Sequence, residues 1–112
     1  MGKNHLGEFE EIVMLTVAIL HGEAYGVAII DEIESRLKRS VSIGSLQVVL
    51  KRLEDKGLLK SKLGEATSVR GGKRKRFYDV TSAGKEILKT TKEQRMSLWN
   101  ALPDVTLQFI AN

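Results

Sequence analysis

The sequence contains no cysteine, which removes disulfides, cysteine-based zinc sites and thiol catalysis together. Proline occurs once, at Pro103, where it disfavours helix at Leu102 and should end or kink whatever precedes it. Aromatic residues make up 5% of the chain. The two histidines, His5 and His21, stand apart, and His21 reads as a helix-end residue beside Gly22 rather than as a ligand. No strand-to-helix glycine motif is present to cradle a phosphate. Ser42 and Ser45 have no histidine near them in sequence, so an enzyme would have few parts from which to build a site. No metal and no cofactor are expected. The longest apolar run, Ile12 to Leu20, is interrupted by Thr16 and is far too short to span a bilayer. The first residues are polar and acidic and do not read as a secretory signal. The chain therefore reads as soluble and cytoplasmic, with no membrane partner.

A hydrophobic content of 42% over 112 residues is ordinary for one globular domain with one modest core. The formal charge of +4 favours a polyanionic partner. It is unevenly spread. Residues 1–34 hold Lys3 against seven acids, whereas residues 51–76 hold ten Lys or Arg against Glu54, Asp55 and Glu65.

The stretch from Ser42 to Thr81 organises the chain. Ser42 is an N-cap residue, and Ile43, Leu46, Leu50 and Leu53 recur at helical spacing to form one apolar face. Gly57 closes this helix, with Lys56 in its last turn where a cation suits the dipole. The opposite face carries Gly44, Ser45, Val48, Lys51, Arg52 and Asp55, with Gln47 at its edge. The first part of that face is small enough to approach a base edge or a phosphate, and Val48 has no packing duty and suits a thymine methyl. For an arbitrary helix, Lys51, Arg52 and Asp55 would be a solvated face. Here a basic hairpin follows. Leu58 to Leu63 reads as one strand and Phe77 to Val80 as its partner, with Phe77 and Asp79 on one side and Tyr78 and Val80 on the other. The rising edge of the loop between them carries Arg70, Lys73, Arg74, Lys75 and Arg76 with no acid among them, an electrostatic footprint for phosphates. Alone, such a run reads equally as a solubilising turn or a localisation signal.

The rest fits around this stretch. Met1 to Leu6 reads as a loose arm, in which Lys3 is the candidate for a DNA contact. Glu8 to His21 forms a first helix with acids at its start and apolar residues Phe9, Ile12, Val13, Leu15, Ile19 and Leu20 on most sides. Glu23 to Gly26 is a turn into a second helix, Val27 to Leu37, whose inner stripe is Ile30, Ile33 and Leu37. Thr81 caps a long helix from Ser82 to about Leu102, with Ala83, Ile87, Leu88, Met96, Leu98, Trp99 and Leu102 on its apolar side. Its second half exceeds what one small domain covers, which points to a partner chain. The tail from Asp104 to Asn112 is apolar enough to pack. The expected fold is mainly α with a small β-hairpin wing: a winged helix-turn-helix over 1–80, and a dimerisation helix with a tail over 81–112, in one compact unit.

With these residues in hand, the chain resembles the PadR family of bacterial winged-helix transcriptional regulators over about residues 7 to 102. Tyr25-Gly26 opening the second helix carries the resemblance. So does the run Gly44-x-Leu46 through Leu50, Arg52-Leu53 and Gly57-Leu58-Leu59. The third signature is Gly71-Gly72-Lys73-Arg74-Lys75-Arg76-Phe77-Tyr78, followed by Val80-Thr81 and Gly84. The resemblance implies a homodimer whose wing and recognition helix hold a palindromic operator in double-stranded DNA. Members mostly repress, and many are released by a small aromatic or amphiphilic effector. The single long helix after the wing resembles the compact branch, where that helix makes the dimer. Leu98, Trp99 and Leu102 are the residues implied at the dimer contact, and Trp99 either packs the dimer or stacks a flat ligand. Gln47 and Val48 stand where the family usually has a tyrosine and often a proline, so that tyrosine's phosphate contact does not carry over. The alternative reading is a winged-helix protein-interaction adaptor without specific DNA binding.

Overall fold

The computed structural model describes residues 5–65 and 74–105. Four helices and one hairpin follow in order: α1 (Glu8–Ile19), α2 (Gly26–Leu37), α3 (Ile43–Asp55), β1 (Leu59–Leu63), β2 (Arg76–Val80) and α4 (Ser82–Asn100). This is the winged helix-turn-helix with a long helix after the wing.

Helix α1 is the centre of the core. Val13, Met14 and Val17 are completely or almost completely buried, and α1 packs against α2, α3, β2 and α4. Thr16, the polar residue inside its apolar run, is buried and satisfies its hydroxyl by donating to the Ile12 carbonyl at 2.7 Å. Leu6, expected in a loose arm, is instead 4% exposed and belongs to the core. Leu15 and Ile19, apolar positions of the same helix, lie 45% and 51% exposed, on a side of α1 that the other described residues leave largely uncovered. The helix ends at Ile19, two residues before His21, which lies in the exposed turn that follows.

In α2 the buried stripe is Ile29 and Ile33, with Ile30 at its margin, and Leu37 is half exposed. The expected stripe runs through Ile30, Ile33 and Leu37; the packing of α2 on α1 and α3 buries the neighbouring face instead. In α3 the buried positions are Leu46, Val49, Leu50 and Leu53. Ile43 does not join them. It is half exposed at the first helical position, beside Gly26 of α2. Gly57 follows α3 at φ +77°, a conformation open to glycine at no steric cost.

The strands pair antiparallel, with Leu59 opposite Val80 and Leu63 opposite Arg76. Leu59 and Tyr78 bury their side chains in the core. A further bond joins the wing to the body, because the Tyr78 amide donates to the Ala24 carbonyl at 2.9 Å. Thr81 then fastens the start of α4. Its hydroxyl accepts from the Gly84 amide at 3.0 Å and donates to the Gly57 carbonyl at 2.7 Å.

Gly84 is the buried residue of α4, whereas Ala83, expected on its apolar side, is exposed. A Cβ at position 84 would lie 2.3 Å from the Leu58 carbonyl oxygen and 2.7 Å from Val80 Cγ1. The helix runs this close to the α3–β1 turn only because the side chain is absent. Gly84→Ala should therefore destabilise the fold by about 1–3 kcal/mol despite its higher helix propensity, the cost of overpacking against backbone that cannot yield. Chemical denaturation of the two proteins checks the sign.

Candidate nucleic-acid interface

The candidate surface starts at the cap of α3. Ser42 Oγ accepts from the Ser45 amide at 3.1 Å, and the two hydroxyls lie 3.0 Å apart, hydrogen bonded to each other. Beyond the cap, Gly44, Ser45, Gln47 and Val48 are all exposed, and an added Cβ at Gly44 would meet nothing within 4 Å. Val48 is 58% exposed, an apolar side chain held in water on the face opposite the buried Leu46, Leu50 and Leu53. Gln47, Val48, Lys51, Arg52, Asp55 and Lys56 line one open depression along the helix.

The Tyr25–Gly26 corner joins this helix to the wing. The place where a methyl would stand on Gly26 is bordered by Ile43 Cδ1 at 3.4 Å and Gln47 Nε2 at 3.7 Å. The preceding ring, Tyr25, meets Phe77 of β2 edge-on with centroids 5.6 Å apart, and Lys75 Nζ lies 4.1 Å from the Tyr25 centroid. A cation held over a ring in this way is attracted by the quadrupole of the aromatic face. The first turn of α3 and the base of the wing therefore meet across two consecutive residues.

Arg74 and Arg76, on the returning side of the wing, are also anchored. Arg74 Nε donates to the Gly64 carbonyl at 2.7 Å, while Arg76 Nη1 donates to Ser61 Oγ at 3.0 Å, and Ser61 in turn donates to Glu54 at 2.8 Å. All three cationic residues remain exposed. Arg70 and Lys73, expected on the wing tip, lie outside the described residues, as does Lys3. Sequence reasoning missed these anchors, for which the only signal was the run of aromatic and hydroxyl residues beside the cations.

A family model described as the transcriptional regulator PadR-like family matches residues 14–90. The chain belongs to the PadR-like family of transcriptional regulators. Similar solved structures agree with this. A PadR-like transcription factor from Bacteroides fragilis is 27% identical, with a TM-score of 0.68 over 91% of this chain and 88% of that one. A PadR family transcription regulator from Clostridium difficile is 28% identical, with a TM-score of 0.65 over 91% of this chain and 98% of the other. One from Eggerthella lenta is 25% identical, with a TM-score of 0.66 over 94% and 88% of the two chains. No curated protein sequence gives a match.

Within this PadR-like chain, one buried acid faces the candidate surface from behind. Glu10 of α1 has a side chain only 9% exposed. Its Oε1 accepts from the Gly7 amide at 2.9 Å, and its Oε2 accepts from Lys56 Nζ at 3.0 Å and lies 3.9 Å from Arg52 Nη1. Burial by itself would raise the pKa of this carboxyl. The Gly7 amide and the Lys56 and Arg52 charges outweigh it, and the group is held below the ordinary glutamate range. A depressed folded-state pKa means that Glu10 contributes stability above the pKa of an unfolded glutamate, about 4.3. That contribution is lost as the pH falls through the lower, folded value. Glu10→Gln should cost roughly 1 kcal/mol at neutral pH, since Lys56 is part exposed and solvent screens the pair. The difference between the two proteins should vanish on acidification, a trend that denaturation curves from neutral to strongly acid pH measure.

Proposed function

We propose that the chain is a sequence-specific DNA-binding regulator that acts as a homodimer on a palindromic operator, and that it represses. The observation that carries this reading is the Tyr25–Gly26 corner. It sets an exposed, small-residue helix face next to exposed cations that are held in place, and membership of a transcription-regulator family supplies the context. In this reading Ser42, Gly44, Ser45, Gln47 and Val48 enter the major groove. Arg74, Lys75 and Arg76, with Arg70 and Lys73 beyond them, grip phosphates. The wing supplies affinity without sequence information because phosphates are alike, so discrimination falls to α3.

The dimer is supported by an apolar surface that the described residues of the single chain leave open. Leu98 is 72% exposed, Trp99 50%, Met96 45% and Leu15 45%. Leu15, Met96 and Trp99 line one groove between α1 and α4, beside the Glu11–Arg95 ion pair, and Leu98, Trp99 and Leu102 line the next. Contiguous apolar surface of this kind marks an interface. A dimer seated on both half-sites excludes other proteins from that DNA, so repression needs no further activity. The same groove offers Trp99 as a stacking surface for a flat aromatic effector.

Replacing Arg74 and Lys75 with alanine should weaken binding to any duplex. The slope of log affinity against log salt should flatten by roughly 0.9 for each phosphate that the variant no longer neutralises. An unchanged slope would remove the wing from the interface, and a native protein with no salt-dependent binding would be an adaptor instead. Sedimentation at micromolar concentration should show a dimer, and Trp99→Ala should weaken it by about 2 kcal/mol, the usual cost of truncating a large buried anchor.

A further inference from the structure

The cations of α3 are engaged before any nucleic acid arrives. Lys51 Nζ lies 3.4 Å from Asp55, and Lys56 and Arg52 share the Oε2 atom of Glu10. The first pair is fully at the surface and easily exchanged for another partner. The second is different in kind, because its carboxylate is buried and cannot follow the cations outward. Glu10 Oε1 is fixed by the Gly7 amide at the start of α1, so Oε2 stays where it is. Arg52 and Lys56 line the same depression as Gln47 and Val48, on the face that the proposed function turns towards DNA.

We infer that Glu10 is a specificity-determining residue, which holds the C-terminal cations of α3 away from phosphates so that base contacts rather than charge decide where the helix binds. The inference rests on the DNA-binding reading. Its physical content is the balance between two kinds of contact. Every cation released to the backbone strengthens cognate and random duplex alike, and this dilutes the discrimination supplied by a few side chains at base edges. Glu10 withdraws Lys56 by a direct bond and draws Arg52 more loosely towards the same atom. The cost is one buried charge, offset by two donors and the nearby Arg52 charge.

Glu10→Gln separates this role from a structural one. Glutamine keeps an oxygen for the Gly7 amide, as glutamine does at this helix position generally, and places an NH2 against the cations. The variant should bind a scrambled duplex several-fold more tightly than the native protein, with a salt slope steeper by up to about 0.9 for each additional phosphate it neutralises. Cognate affinity should rise less, so the ratio of the two falls. Glu86→Gln, on exposed α4, changes the net charge equally and should move neither. Heparin chromatography reads the same effect without a cognate sequence: Glu10→Gln should elute at higher salt than Glu86→Gln. Adding Lys56→Gln to Glu10→Gln should bring elution back towards the native position. In the native protein, amine labelling should find Lys56 unprotected by duplex or heparin while Lys75 is protected. Equal elution of the two single variants, an unchanged ratio of affinities, or protection of Lys56 would overturn the inference. Failure of the native protein to bind duplex, with the heparin difference intact, would overturn the DNA reading instead and leave the masking of the cations established.

Discussion

The burial of one side of α3 is the constraint on which the other features depend. Leu46, Val49, Leu50 and Leu53 are almost completely enclosed by α1, α2 and β1. A one-sided helix held at four positions over two turns can neither roll nor slide without exposing two or more large side chains. Each such side chain is worth about 1.5–3 kcal/mol when fully buried. That rigidity is what makes the opposite face useful. Gly44, Ser45 and Val48 gain nothing from the fold, yet the fold fixes where they stand. The same stripe determines the ends of the helix. Ser42 caps it on the side of the α2 corner, and the Gly57 turn delivers the chain into β1 under the clamp of Thr81.

Charge is distributed around this helix in two regimes. In the wing, Lys75 over Tyr25 and Arg76 on Ser61 are anchored by neutral groups, which leave the positive charge available to a phosphate. Behind α3, Lys56 and, more loosely, Arg52 are held by one buried carboxylate, which offsets part of their charge. Formal charge therefore misstates where the protein is able to attract a polyanion. The basic residues between 51 and 76 are unequal, and among the described ones with a partner the difference lies in what that partner is.

Much of this is legible in the chain itself. The caps at Ser42 and Thr81, the order of helices and hairpin, and the exposure of Val48 follow from local chemistry that tertiary packing does not override. The losses have separate causes. Spacing assigns Ile43 to the apolar face, but it sits half exposed in the first turn beside Gly26, while Val49 takes the buried place. Ile29 takes the buried place expected of Leu37 because Ile29 and Ile33, four residues apart, lie together on the face that α1 and α3 cover, while Leu37 falls at the last residue of α2 and stays half exposed. Gly84 looks like a weak helix residue and is the point of closest approach between α4 and the α3–β1 turn. Glu10 looks like one of three acids suited to a helix N-terminus. Its partners, Arg52 and Lys56, are more than forty residues away in sequence, and no local pattern announces such a pair.

The central claim is that the free face of α3 reads sequence while the wing holds the backbone. Selection of bound molecules from a random duplex pool, run in parallel for the native protein and Gln47→Ala, tests it most directly. The native protein should enrich a two-fold symmetric motif with half-sites centred about one helical turn or a multiple of it apart. Gln47→Ala should lose preference at one or two positions in each half-site and keep the symmetry and spacing. A native protein that enriches no motif, or a variant whose motif is identical to the native one, would contradict the account.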